Sequence, residues 1–304
     1  MCLTLFLVVS ISFVVIRLMP GSVYENPELS TAVLEALDSK MHLNEPILTQ
    51  YYYYLRGIFV DGDWGVSVAI EPSVPVFKIL MRRIPISLTI NLASLLIAIP
   101  IGIAMGTVAA LRKNKPSDHI ISFLVVIFIS LPSFVFASLL QYFMAYKLGW
   151  APIIYQPSVS FLEKISSLML PVLALTLWPV ATVARYLRGE LIETVNSDFM
   201  LLARTKGLTQ GEATVHHAFR NSCLPIVHII IPMFANILGG SLVIEQIFAI
   251  PGVGGIMIDA ISSYDHALTI AVVIFYTAIS LLTIFVMDIL YGVIDPRVRM
   301  GAKK

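Results

Sequence analysis

The chain has 304 residues, 58% of them hydrophobic and 13% charged, with a formal net charge of +1. A water-soluble domain carries roughly a quarter charged residues, so this composition excludes an ordinary soluble protein. The net charge says nothing about nucleic acid, and no basic run long enough to bind it appears, so none is expected as a partner. The two cysteines, Cys2 and Cys223, lie far apart and are read as separate thiols on helix ends, not as a disulfide or a metal pair.

Apolar runs of about 20 residues mark helices that cross a bilayer. Six are expected, over residues 2–19, 84–111, 120–146, 168–187, 224–250 and 267–291, which makes the fold class an all-α membrane protein. The first run ends at Arg17 and Pro20-Gly21. It has no positive stretch before it and no small-residue cleavage site after it, so it is read as an anchor and not as a signal peptide. Its abrupt start leads us to expect a few basic residues upstream. Between 21 and 83 lies the one sizeable polar portion. There Leu29, Val33, Leu34, Leu37 and Met41 repeat at helical spacing. Tyr51 to Tyr54 and Trp64 suit the headgroup level, where amphipathic rings settle.

Prolines punctuate the later runs: Pro85, Pro100, Pro132, Pro171, Pro179, Pro225 and Pro232. Membrane helices tolerate proline because neighbouring groups satisfy the freed carbonyls, and kinked or broken helices are expected from them. Orientation follows the lysine and arginine bias of the loops. Residues 112–118 carry three basic side chains, 185–220 five and the tail beyond 291 four. The alternate loops, 21–83, 147–165 and 251–266, carry seven, five of them in the one long segment. Both termini and the 196–225 interval are therefore expected on the cytoplasmic side.

That interval, NSDFMLLARTKGLTQGEATVHHAFRNSCLP, is the longest polar stretch in the second half of the chain. Ser197 or Asp198 can cap a short helix, Phe199, Leu202, Ala203 and Lys206 follow at helical spacing, and Gly207 is placed to end it in a left-handed conformation. The reading is an amphipathic helix outside the membrane, facing a cytoplasmic partner or lying on anionic lipid.

No phosphate-cradling Gly-Lys pair, His-Glu-x-x-His, Gly-x-Ser-x-Gly or Cys-x-x-Cys pattern occurs. His216 and His217 are adjacent, which points them apart on a helix, so they are read as solvated or headgroup-facing and not as a metal pair. Carboxylates at membrane depth are the remaining chemistry, because burying a charge there is expensive. Glu245 either lines a polar pathway or is a structural partner near the outer interface. Asp288 near the end of the last run is read as structural.

The series Asp198-Phe199-x-x-x-Ala203-Arg204-x-Lys206-Gly207-Leu208, His217-Ala218-x-Arg220-Asn221 and Leu224-Pro225 resembles the cytoplasmic loop of bacterial binding-protein-dependent ABC importer permeases, in the dipeptide/oligopeptide/nickel branch. Further matches follow in order along the chain: Arg17-Leu-x-Pro20-Gly21, Gln50-Tyr51-Tyr52, Gly62-Asp63-Trp64-Gly65-x-Ser67, Pro75-Val76, Ser130-x-Pro132-Ser133-Phe134, Leu148-Gly149-Trp150-x-Pro152, Glu245-x-x-Phe248-x-x-Pro251-Gly252-x-Gly254 and Asp295-Pro296-Arg297. One departure stands out. The superfamily's loop signature begins Glu-Ala-Ala, where this chain reads Leu201-Leu202-Ala203, so contacts made by that glutamate do not carry over.

The resemblance implies a type I ABC importer permease fold with a coupling helix at about 197–208, seated in a cleft of a separate ATPase. Asp198, Phe199, Leu202, Ala203, Arg204, Lys206 and Gly207 would couple to that ATPase, while Glu245, Pro132, Ser133, Pro251 and Gly252 would belong to a pathway or gate. On this reading 1–83 is the first membrane helix plus an extracytoplasmic segment, 84–294 the transmembrane permease domain and 295–304 a cytoplasmic tail. The implied partners are a second homologous permease, two ATPase subunits, an extracytoplasmic substrate-binding protein and the lipid bilayer of a bacterial cytoplasmic membrane. The chain would be no enzyme and would bind no cofactor, with ATP and magnesium held by the ATPase. Di- or oligopeptides are the expected cargo, with nickel or another small solute as the alternative. An ion-gradient-driven carrier, using Glu245 and Asp288, is the competing class.

Overall fold

The computed structural model describes residues 2–18, 42, 44–235 and 242–294. Among them every regular element is a helix, apart from an isolated antiparallel bridge between Val66 and Pro75. The helices are α1 (Cys2–Leu18), α2 (Ile47–Arg56), α3 (Val76–Leu111), α4 (Pro116–Ser130), α5 (Ser133–Leu140) and α6 (Phe161–Val195). They continue as α7 (Asp198–Thr205), α8 (Gln210–Ala213), α9 (Arg220–Ala235), α10 (Leu242–Ile247), α11 (Val253–Ser262) and α12 (His266–Ile294). Wider π-turns extend α2 over Gly57–Asp61, extend α5 over Gln141–Lys147, and join α8 to α9 over Thr214–Phe219. The helix expected from Leu29 to Met41 and the tail from 295 lie outside the described residues.

α3, α6 and α12 are each long and apolar enough to cross a membrane. The span expected over 120–146 differs: it is two helices, α4 and the extended α5, bent by 100°. Proline geometry is the cause. A residue that precedes proline is pushed out of the helical region, and Leu131, before Pro132, sits at φ −86° and ψ 116°. The Pro132 carbonyl then accepts Val135 N and Phe136 N, which restarts the helix. Of the run expected over 224–250, the described residues hold α9 as far as Ala235 and α10 from Leu242, and 236–241 lie outside them. Pro85, Pro100, Pro171, Pro179, Pro225 and Pro232 all stay inside continuous helices.

The chain forms two compact units, Met1–Ile86 with Pro251–Leu282, and Ser87–Ile250 with Thr283–Lys304. In the first, Val76, Ile79 and Leu80 pack with Val253, Ile256, Leu268 and Val272. Asp265, fully buried, fastens this unit at the start of α12. Its Oδ1 accepts Leu268 N, capping the helix, and its Oδ2 accepts Ser67 Oγ at 2.5 Å and the successive amides of Val68, Ala69 and Ile70 at 3.0, 3.1 and 3.3 Å. The buried Ser67 of the Gly62-Asp63-Trp64-Gly65-x-Ser67 stretch thus holds a loop onto a helix terminus.

In the second unit α6 is the central helix. Its most apolar window is 67% buried, against 33% for α3 and 22% for α12. Ser160 and Glu163 form a reciprocal capping box at its start. Gly102 and Gly106 of α3 face it at the spacing that lets membrane helices touch backbone to backbone. A Cβ at Gly102 would lie 2.8 Å from Val183 Cβ, and one at Gly106 would lie 2.7 Å from the Ala184 carbonyl oxygen. Lipid tails are as apolar as leucine, so this close contact, more than hydrophobic burial, holds α3 on α6.

Candidate functional site

α6 ends at Val195, and after Asn196 and Ser197 the chain starts α7. Ser197 occupies the N-cap position, yet its hydroxyl turns back to donate to the Thr194 carbonyl at 2.6 Å. Its own carbonyl accepts Met200 N and Leu201 N. The side-chain cap expected from Ser197 is therefore replaced by a bond to the preceding helix, which fixes the elbow between α6 and α7. Asp198 in the first turn and Arg204 in the last complement the helix dipole.

The stop is built as the sequence leads one to expect. Gly207 has φ 95°, Leu208 N donates to the Ala203 carbonyl and Gly207 N to the Arg204 carbonyl. This is the Schellman pattern, in which a left-handed glycine lets the chain reverse and satisfy the last carbonyls. No atom lies within 4 Å of where a Gly207 Cβ would stand, so the position selects glycine through its backbone angle alone.

α7 buries one stripe and leaves the rest outside. Met200 and Ala203 are 2% and 8% exposed and join Leu187, Leu191, Ala213 and Ala218 in one cluster, with Leu208 packed against it. Phe199, Leu201 and Leu202 are 42%, 62% and 55% exposed. Of the apolar face expected to meet a partner, Phe199 and Leu202 are free to do so, whereas Ala203 faces its own unit. Sequence spacing missed Leu201. It also missed Val215 on the neighbouring π-turn, which is 66% exposed. Asp198, Arg204 and Lys206 are exposed around this apolar surface. Behind it Thr209 and Glu212 cap α8 reciprocally, and the Thr209 hydroxyl, then its amide, then His216 hold the Glu212 carboxyl below its usual range.

The residues expected at a pathway or gate fall in different places. Pro132 and Ser133 are exposed at the 100° break. Glu245, on α10, is fully buried and accepts Ser87 Oγ at 2.7 Å. Pro251 and Gly252 belong to the other unit, where Gly252 is the buried N-cap of α11. α5 packs on α10, and Gln141, which the sequence reading did not single out, ties them: its side-chain amide donates to the carbonyls of Ile247 at 2.8 Å and Ile153 at 2.9 Å. Tyr155 N donates to the Phe248 carbonyl beside it.

Comparison with known proteins bears on what this arrangement does. Residues 98–300 match the family model described as the binding-protein-dependent transport system inner membrane component. The chain is 39% identical over 298 residues to the dipeptide transport system permease protein DppB of Lactococcus lactis subsp. cremoris, covering 98% of this chain and 96% of that protein. It is 34% identical over 297 residues to the oligopeptide transport system permease protein OppB of Escherichia coli, covering 97% and 95%. Among solved structures, the inward-facing MetNI methionine ABC transporter aligns with a TM-score of 0.59 at 17% identity, over 72% of this chain and 97% of that one. An amino acid ABC transporter solved with histidines aligns with a TM-score of 0.54 at 18% identity, over 70% and 93%.

Proposed function

Because the chain belongs to the binding-protein-dependent transport system inner membrane component family, we propose that α7 is the helix through which a cytoplasmic ATPase drives it. Membership makes the chain the multi-pass membrane permease of an ATP-driven importer, a transport component and not a catalyst. It works with ATP-hydrolysing and substrate-binding partners, which replaces the gradient-driven carrier as its class.

The observation that carries the α7 assignment is the exposed apolar surface of Phe199, Leu201 and Leu202 on a helix anchored from behind by Met200 and Ala203. An amphipathic helix laid in a groove is a recurring docking mode. Here Val215 widens the apolar area and Arg204 and Lys206 supply cations for the rim. The shared core under α7 and the elbow at Ser197 make a push on α7 a push on α6. ATP and magnesium stay in the ATPase, and both chain termini lie on its side of the membrane.

The cargo in this proposal is a di- or oligopeptide, supported by relatives named for dipeptide and oligopeptide transport that align over nearly the whole chain. Nickel is the alternative within the same branch. A second permease completes the pathway, with two ATPases beneath.

Purifying a tagged chain from gently solubilised membranes tests the docking. The ATPase should co-purify with the wild type and be lost with Leu202→Glu, while the variant stays in the membrane. Retention of the ATPase at the wild-type level by both Leu202→Glu and Phe199→Asp overturns the assignment.

A further inference from the structure

α6 carries α7 at its end, and one ion pair fixes it from the side. Asp118, in the first turn of α4, is 1% exposed. Its Oδ1 accepts Arg188 Nε at 2.6 Å and its Oδ2 accepts Arg188 Nη2 at 2.8 Å, the two-pronged geometry that guanidinium alone provides. Oδ2 also accepts Asn114 N at 2.9 Å and Oδ1 accepts Ser122 Oγ at 3.3 Å. Asn114 has φ 62°, so the tight turn between α3 and α4 closes onto the same carboxylate. The apolar contact of α4 on α6 beside it centres on Val125 against Ala181 and Ala184, with Ile121, Phe128 and Ile129 packed around them. Apolar contact alone allows packed helices small sliding motions past one another. A fork seated on a buried carboxylate fixes both distance and orientation.

The pair stands at a junction of parts. Arg188 precedes the end of α6 by about 10 Å of helix, at roughly 1.5 Å per residue, and α7 follows directly. In the other direction α4 leads to the 100° break at Pro132. Beyond the break Gln141 grips the Ile247 carbonyl of α10, the short helix that buries Glu245.

We propose that the Asp118–Arg188 fork is the joint that makes α4 move with α6, so that displacement of α7 reaches the α4–α5 break and the α10 contact. Both are positioning residues, touching neither cargo nor nucleotide. The inference rests on the reading of α7 as the driven helix.

The test uses the complete transporter with its ATPase and binding-protein partners in lipid nanodiscs and proteoliposomes. Spin labels go on the exposed positions Phe123 of α4 and Trp178 of α6 (Phe123→Cys and Trp178→Cys with both native cysteines changed to serine). The distance between them is compared in nucleotide-free and ATP–vanadate-trapped states. In the otherwise wild-type protein the distance should be narrow and the same in both. Two variants test the joint. Arg188→Lys keeps the charge and loses the fork. Asp118→Asn with Arg188→Gln removes both charges, so that no buried charge is left unpaired and the protein should fold.

In both variants the distance should shift or broaden on trapping. Uptake of a labelled dipeptide per ATP hydrolysed should fall by at least about fivefold, the lower end of ordinary coupling between sites. A distance that changes between states in the wild type overturns the joint. So does a double variant that melts normally and keeps both its distance and its uptake ratio, since the pair would then only stabilise. Failure of the α7 reading is seen separately, as ATPase that stays bound at the wild-type level to both Leu202→Glu and Phe199→Asp.

Discussion

α6 and α7 are consecutive helices with two residues between them, and they are held in opposite ways. α6 is gripped from several sides: Gly102 and Gly106 press on its backbone, Arg188 forks onto Asp118, and a capping box closes its start. α7 is held along the single stripe of Met200 and Ala203 and by its two ends, with its other apolar side chains left outside. The difference teaches where stability and function separate. Side chains of α6 should cost stability when changed, and exposed side chains of α7 should cost partnership while stability stays the same.

The largest loss should come from Asp118→Ala. Removing one partner of a buried pair strands the other charge, and the expected cost is about 3 kcal/mol, the low end of the usual range because the Arg188 side chain is 32% exposed. Thermal or denaturant unfolding in detergent measures it. Next comes Gly106→Ala, whose methyl would meet the Ala184 carbonyl at 2.7 Å. Overpacking of that kind costs about 1–3 kcal/mol, and an unchanged melting temperature would remove α3–α6 contact as the basis of the second unit.

Gly207→Ala should be milder, about 1 kcal/mol, because only the left-handed backbone opposes it. Gly207→Asn should recover most of that, since asparagine tolerates the same angle. The smallest stability effect, within about 0.5 kcal/mol, belongs to Leu202→Glu, which should nonetheless give the largest loss of bound ATPase. A Leu202→Glu protein that unfolds early would break the contrast between the two helices.

Much of this was legible in the chain itself. Apolar runs locate α3, α6 and α12 because a bilayer demands about 20 such residues in a row. Prolines lead us to expect kinks or breaks, but of the seven named in the sequence only Pro132 interrupts its helix, and nothing local singles it out. Gly207 marks the end of α7 for a local reason. The order of short motifs along nearly the whole length carries the family. The inward turn of Ala203 was not legible, because helical spacing groups Phe199, Leu202 and Ala203 without saying which side the protein's own core lies on. Asp265 offered a faint signal, an aspartate just before a long apolar helix, but its hold on the 67–70 loop joins residues almost two hundred positions apart.

The sequence by itself determined the solvent, the helices, their local stops and the family, all of which follow from composition and from interactions within a few residues. Tertiary structure alone decided that Asp118 and Arg188 meet across seventy residues, that Gln141 reaches Ile247, and that α7 exposes Phe199, Leu201 and Leu202 while hiding Met200. The physical reason is that a side chain's partner is chosen by the packing of distant helices, and desolvation makes that choice strong only once the packing exists.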